Sequence, residues 1–418
     1  MNDISDAAAK DDKFLTRPLL IIFLTIFIDL VGFGIVIPLL TFFAEEFQAS
    51  PIDIGLLVAS YSFMQFAFSP IWGNLSDRYG RRPILFFTIL GSSIGYIMIG
   101  TAGSLWMIYA GRLLAGATGG NLSTAQAYIA DVTSRENRAR GMGLFGMAFG
   151  LGFILGPGLA GILSRFGMRV PFLFAAGLSL LNALLLYFIL PESRVVRPHD
   201  PSVEKKSRWS ELASVFANRQ FTLVTIEYFL LVTAFSFMTT AFAYYTMVKF
   251  GYGADGTGYL LAYVGVLAAV MQGLVFGRLA TRFGESNLII AGSLLLVISL
   301  FLVPFISAEA GGLTVLLFGI AGFAVGNSIA SPGLTSLASK TADESQQGKS
   351  LGLLQSAASL ARVVGPLACG VLLNNAVGRV DDASLFRTFW TAAAIMFAAF
   401  VTSVYFGRVY RVRSAEFN

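Results

Sequence analysis

The stretch GNLSDRYGRRP at Gly73–Pro83 returns in weaker form as GRLATRFGESN at Gly277–Asn287. The two align without gaps: Gly73 with Gly277, Leu75 with Leu279, Arg78 with Arg282 and Gly80 with Gly284. Each is short, charged and set between long apolar runs. A charged loop repeated once across a hydrophobic chain implies two related membrane halves.

Composition agrees with that reading. Of 418 residues, 56% are hydrophobic and only 13% charged, and the mean hydropathy is +0.72. Soluble domains carry about 25% charge, so this chain belongs in lipid. The 44 glycines would weaken soluble helices, but membrane helices use glycine for close packing. A single cysteine, Cys369, excludes a disulfide framework and a cysteine-rich metal site. The one histidine, His199, sits in a charged stretch (RPHDPSVEKK) and reads as a solvated loop residue. No cofactor and no metal are expected. The net charge of +5 is spread over short loops, which argues for orientation signals and against nucleic acid.

Apolar runs of about 20 residues, enough to cross a membrane, start near Leu19, Ile54, Ile84, Leu105, Gly141, Val170, Phe221, Gly256, Leu288, Leu313, Leu351 and Phe386. Period-2 alternation is missing, which excludes a membrane β-barrel. The expected fold is therefore all-α, with twelve transmembrane helices in two six-helix bundles. Met1–Arg17 is charged, lacks a cleavage site and reads as a cytoplasmic tail. With that end inside, twenty-two of the 29 Lys and Arg fall on the cytoplasmic side and five outside, which sets both termini in the cytoplasm. The divisions are a tail at 1–17, a first bundle at 18–190, a cytoplasmic linker at 191–220, a second bundle at 221–407 and a tail at 408–418. Part of the linker, Trp209–Ala217, reads as a surface helix.

Four motifs in order resemble one family, the major facilitator superfamily, and within it the twelve-helix drug:proton antiporters. Its loop signature is met by Gly73, Leu75, Asp77, Arg78, Gly80, Arg81 and Arg82. A signature on the fourth run is met by Arg112, Gly116 and Gly119. The antiporter signature on the fifth is met by Gly143, Gly152, Gly156, Pro157 and Gly161, with Ala160 in place of one glycine. IDLVGFGIVIPLL at Ile28–Leu40 and AYIADVT at Ala127–Thr133 resemble the tetracycline-efflux branch. The resemblance implies a cytoplasmic gate in which Asp77 faces the N-terminus of the eleventh helix, whose dipole favours an anion, and Arg81 pairs with Asp131. A merely solvated positive loop is the alternative. In the second copy Thr281 and Glu285 replace the Asp and the first Arg, so a matching latch is not expected there. The glycines and Pro157 of the fifth run make a thin helix that can bend.

Charges inside apolar runs carry the functional reading, because each costs several kcal/mol in hydrocarbon. They are Asp29, Arg112, Glu227 and Arg362. At 100° per residue, Gly116, Gly119, Ser123 and Gln126 lie within about 40° of Arg112, and Asn121 lies opposite. Met238 and Tyr245 share the face of Glu227, and Gln355 lies within about 20° of Arg362. Arg112, Ser123, Gln126, Met238, Tyr245, Gln355 and Arg362 are thus candidates for lining a substrate cavity. Asp29 and Glu227 are candidate proton carriers, since a carboxylate in low dielectric can load and release a proton as access switches. Structural ion pairs, Asp29 with Arg112 or Glu227 with Arg362, are the alternative.

The expected function is a secondary transporter of the bacterial inner membrane, driven by the proton gradient, that exports lipophilic drugs as a monomer. A symporter for a nutrient, or an exporter of a metabolite, fits the same fold. An enzyme or ATP-driven pump does not: GKS at Gly348–Ser350 has Asp343 where a phosphate loop needs glycine.

Overall fold

The computed structural model describes residues 16–133, 138–193, 218–341, 347–375 and 378–415. His199 and Trp209–Ala217 lie outside the described residues. Thirteen helices follow: α1 (Arg17–Glu45), α2 (Pro51–Tyr79), α3 (Arg81–Gly100), α4 (Leu105–Thr118), α5 (Asn121–Val132), α6 (Arg138–Ser164), α7 (Val170–Ile189), α8 (Arg219–Phe250), α9 (Ala254–Phe283), α10 (Glu285–Leu302), α11 (Gly312–Thr341), α12 (Gln347–Leu373) and α13 (Asp382–Ala415). Ten of these, among the described residues, are long and apolar enough to cross a membrane. The Leu105 run is divided between α4 and α5, and the Gly141 run lies in α6. No strand occurs among the described residues beyond an isolated bridge between Ser307 and Gly311.

Local chemistry sets the helix ends. Ser50 and Asp53 form a reciprocal capping box at the start of α2, with Pro51 in the first turn. The Asn218 side chain accepts from Gln220 and Phe221 at the start of α8. In the two repeated loops Gly80 and Gly284 have φ of 101° and 77°, values that favour glycine and let each chain reverse at once into the next helix. Inside α9 a π-helical turn spans Met271–Val275.

Within the first half α1 packs on α6 and α7, α3 on α4 and α7, and α2 on α4. Within the second, α8 packs on α12 and α13, and α10 on α11 and α13. The halves join through two seams, α2 against α12 and α6 against α9, which pair equivalent helices with partners exchanged. Glycines let the backbones touch. A Cβ on Gly55 would lie 2.5 Å from the Pro366 carbonyl oxygen, and one on Gly258 would lie 2.7 Å from that of Pro157. Both contacts sit at the end of the molecule that carries Ser50. Toward the opposite end the seams part: around Gly73 on α2 and Gly352 on α12 the space within 4 Å is open.

Candidate transport site

Arg112 is the largest fully buried side chain of the first half, 2% exposed. Its Nε donates to the Leu57 carbonyl at 3.1 Å, and its guanidinium lies 4.5 Å from the centre of the Tyr61 ring. Glycine makes that approach possible. A Cβ on Gly116 would meet the Tyr61 carbonyl at 2.5 Å, and one on Gly119 the Tyr61 hydroxyl at 2.7 Å. The signature residues Arg112, Gly116 and Gly119 therefore form one face against α2. Buried under a ring, a guanidinium gains a cation–π contact where water would otherwise compete.

Just beyond them the helix stops. Gly119 and Gly120 have ψ near 5°, which interrupts the α-helical ladder between α4 and α5. Two α2 side chains satisfy the carbonyls set free there: Gln65 Nε2 donates to Gly119 at 2.8 Å and Trp72 Nε1 to Ala117 at 2.6 Å. Ser123, in the first turn of α5, lies 3.2 Å from Ser69 of α2, and Gln126 is half-buried. The straight-helix projection sets Asn121 opposite Arg112, and there it faces α1 and α3 rather than α2. Asn121 is 4% exposed and lines a small cavity with Asp29, Thr25 and Ile89. The half-buried Asp29 carboxyl faces the same cavity.

The other carboxylate points elsewhere. Glu227 is 2% exposed and accepts a hydrogen bond from Ser403 of α13. Met238 and Tyr245 do share its face, but that face is the packed core of the second half. Tyr245 is fully buried, donates to the Ile306 carbonyl at 2.9 Å and meets Phe389 edge-on. Met238 and Tyr245 therefore leave the group of cavity-lining candidates in this conformation. Arg362 is half-buried on α12 and donates to Ser359 at 3.1 Å; Gln355, nearer the start of α12, is exposed. The groups within electrostatic range of Arg362 are Tyr228 and Tyr61. Tyr61 is in turn within range of Asp29, Arg112 and Arg362. Tyr61, near Asp29, Arg112 and Arg362, and Tyr228, near Arg362, are neighbours of the buried charges that the sequence reading missed. Each neighbours a helix face that glycine or charge had marked, the only signal that could have found them. Among the described residues neither Asp29 with Arg112 nor Glu227 with Arg362 forms an ion pair within 4 Å.

At the repeated loop, Arg81 is 6% exposed and bonded on three sides. Its Nε lies 3.0 Å from Asp131, its Nη2 2.9 Å from Asp77 and its Nη1 2.6 Å from the Ser76 hydroxyl. Glu192 accepts from the backbone N–H groups of Arg81 and Arg82 at 2.8 and 3.0 Å, capping α3. Arg82 donates to the Tyr187 carbonyl and Arg78 lies over the Tyr79 ring. In the second copy Glu285 lies 2.7 Å from Lys340 and accepts from Ser336 at 2.6 Å. Thr281 and Glu285 stand where the Asp and the first Arg would be, but an ion pair is present at the corresponding place with its signs reversed.

On the antiporter signature, Gly152 and Gly156 meet α1 at Leu30 and Gly34, whereas Pro157 and Gly161 meet α9 at Gly258 and Asp255. One motif therefore serves both the inner packing of its half and the seam between halves. Gly143 lies nearer the start of the same helix.

Residues 22–366 and 273–416 match the family model of the Major Facilitator Superfamily. The chain belongs to this superfamily. Tetracycline resistance protein, class H, of Pasteurella multocida is 31% identical across 94% of this chain and 96% of its own length. Multidrug resistance protein 2 of Bacillus subtilis (strain 168) is 30% identical across 85% and 88%. Among solved structures, a bacterial homologue of the human lysosomal transporter Spinster, inward-facing and unoccupied, superposes with a TM-score of 0.74 over 97% of this chain and 98% of that one. At 15% identity that likeness speaks for the fold alone. The chain is a multi-pass membrane transporter of the superfamily's tetracycline-efflux-like branch, not an enzyme.

Proposed function

We propose that this superfamily member is a proton-coupled antiporter that exports hydrophobic or amphipathic drugs, tetracycline-like or more varied, by alternating access. The observation that carries the reading is Asp29: a carboxyl inside an apolar helix, beside a small interior cavity that it shares with the neutral Asn121, and with no cation within 4 Å among the described residues. A fixed counter-ion would hold such a group permanently charged; a neutral neighbour leaves it able to gain and lose a proton. Arg112 keeps its charge throughout and is locked by Leu57 and Tyr61, so it sets the local field without titrating. The drug-resistance names of the relatives support the substrate class.

In this reading the chain crosses the bacterial inner membrane twelve times with both termini in the cytoplasm. The break at Gly119–Gly120 then lies within the fourth crossing, where broken helices of transporters place their ion sites. The glycine seams at Gly55 and Gly258 close the outer end, and the interior opens toward the cytoplasm. Asp77, Arg78, Arg81, Arg82 and Asp131 form the cytoplasmic gate of the first half, which meets the start of α12 when the transporter turns outward. Drug enters from the inner side, the halves rock about the seams, and protonation from outside returns them.

Purified protein in proteoliposomes with an imposed pH gradient tests this. Drug should move against its gradient in exchange for protons. Asp29→Asn should abolish that exchange while drug still binds. Undiminished gradient-driven transport by Asp29→Asn would sink the assignment.

A further inference from the structure

Asn121 presents a problem that the transport reading alone leaves open. It is 4% exposed, it lines one small cavity with Asp29, and yet its side-chain oxygen, Oδ1, has no hydrogen-bond partner among the described residues. A buried acceptor left unmade costs about 1–3 kcal/mol, and such groups call for an explanation. The only hydroxyl lining the cavity, that of Thr25, makes no hydrogen bond to Oδ1. The cavity it lines is otherwise formed by Thr25, Ile26, Leu85, Ile89, Leu122 and Ala125 around Asp29. The amide of Asn182, from α7, is committed to the Thr25 carbonyl at 2.9 Å.

One group beside that oxygen can become a donor. An ionised carboxylate only accepts, but a carboxylic acid carries one O–H. A primary amide facing it offers both complements, N–H to the C=O and C=O to the O–H. We propose that Asn121 is the positioning residue of Asp29: its amide N–H holds the empty carboxylate, and Oδ1 receives the O–H once a proton is bound. In the loaded state the two side chains form a closed acid–amide pair with every polar atom satisfied. The proton adds to one Asp29 oxygen and leaves by the same bond; no other group is changed. The inference rests on Asp29 as the coupling carboxyl.

The charged and titratable groups around the pair do not compete for this role. Tyr61 of α2 and Tyr96 of α3 act on Asp29 only at range. Arg112 of α4 acts on both of those rings, and Arg362 of α12 on Tyr61. Asn121 is the amide side chain that shares the small cavity with the carboxyl. It reaches it because α5 restarts at residue 121 after the glycine break.

Infrared difference spectroscopy between acid and alkaline pH, on the full chain in lipid, reads the pair directly. Wild type should show a protonated-carboxyl C=O band that is lost in Asp29→Asn. In Asn121→Ala that band should keep its amplitude and move to higher frequency, because the free acid has lost both hydrogen bonds. The isosteric Asn121→Asp puts two carboxyls in one site, so the alkaline limb of proton-driven transport should move up by about one pH unit or more. Drug binding at a fixed pH should change less than about twofold in Asn121→Ala. A band that is lost in Asp29→Asn but unmoved in Asn121→Ala overturns the inference and leaves Asp29 as carrier. A band that survives Asp29→Asn overturns the carrier assignment itself. Should Asn121→Ala fail to fold, an unshifted profile in Asn121→Asp overturns the pair equally.

Discussion

Glu285 and Lys340 meet at 2.7 Å between α10 and α11 and reproduce, with signs exchanged, the 3.0 Å contact of Arg81 with Asp131 between α3 and α5. The equivalence is positional as well as chemical. Arg81 and Glu285 each open a helix directly after a glycine with positive φ, and Asp131 and Lys340 are each the last residue but one of theirs. The reversal has a consequence for the helix ends. An acid in the first turn suits the positive end of the helix dipole, and a base does not. Arg81 therefore comes with Glu192, which caps the N–H groups of residues 81 and 82, whereas Glu285 supplies its own negative charge.

Exchange of charge should accordingly be tolerated in pairs and not singly. Glu285→Lys should lower the transport rate, and Glu285→Lys with Lys340→Glu should recover most of it, a coupling that a double-mutant cycle measures. The stability change should stay within about 1 kcal/mol, because Lys340 is 58% exposed and solvent screens the pair. Arg81→Ala should cost more, about 1–3 kcal/mol by thermal unfolding, since it strips three partners from a buried side chain. Equal, small effects at both sites would argue that neither contact bears on the gate.

The ring beneath Arg112 gives a second expectation. A lysine there would lose the Nε bond to Leu57 and the flat contact with Tyr61. Arg112→Lys should therefore lower transport about tenfold or more despite keeping the charge. Tyr61→Phe, which retains the ring, should stay within about twofold of wild type, and Tyr61→Leu should fall toward Arg112→Lys. A cation–π contact out of water is worth about 2 kcal/mol, which is the size of effect expected in transport assays. Transport by Arg112→Lys equal to wild type would show that charge alone suffices.

The apolar runs, the duplicated loop and the residues that carry buried charge were legible in the sequence because each depends on local composition. Asn121 was not. Two adjacent glycines in a membrane helix read as packing residues, and nothing in the 3.6-residue period reveals that the ladder stops at them. Ser123, counted across that point, does face α2 with Arg112, but a face count gives no reason to set Asn121, on the other side, beside Asp29. On α8 no break intervenes, and Met238 and Tyr245 share a face with Glu227 as projected. What one helix cannot tell is which neighbour covers that face; here it is α13, through Ser403. The reversed ion pair was hidden for a related reason. Glu285 looked like a loss against Arg81 because its partner, 55 residues away, had changed sign too.

Because its partner is a serine in a packed seam, Glu227 should be separable from Asp29. Glu227→Gln keeps an acceptor for Ser403 and removes the titrating group. It should retain at least about half of wild-type drug–proton exchange, measured in the same proteoliposomes in which Asp29→Asn shows none. Ser403→Ala leaves Glu227 buried without its donor and should lower thermal stability by about 1–3 kcal/mol. Loss of exchange in Glu227→Gln, with folding intact, would give the second half a proton site of its own.

The seams make the strongest demand on backbone approach, and there a single methyl or isopropyl group should shift the conformational balance. At Gly258 a Cβ would lie 2.7 Å from the Pro157 carbonyl and 2.9 Å from Gly161; at Gly55 it would lie 2.5 Å from that of Pro366. Neither obstacle is the end of a flexible side chain, so the helices must move apart. They can do so only by opening the Ser50 end, since the opposite end is already parted at Gly73 and Gly352. Spin labels at Phe166 and Glu309, exposed sites one in each half beside that end, should report it. The native Cys369 is fully buried and stays unlabelled. Gly258→Val should lengthen the mean label distance and slow turnover, and Gly55→Val should do the same from the other seam. The two substitutions together should exceed either alone, because each seam pairs equivalent helices of the two halves. Distances that stay at the wild-type value in both variants would mean that the glycines serve packing within the halves and not closure between them.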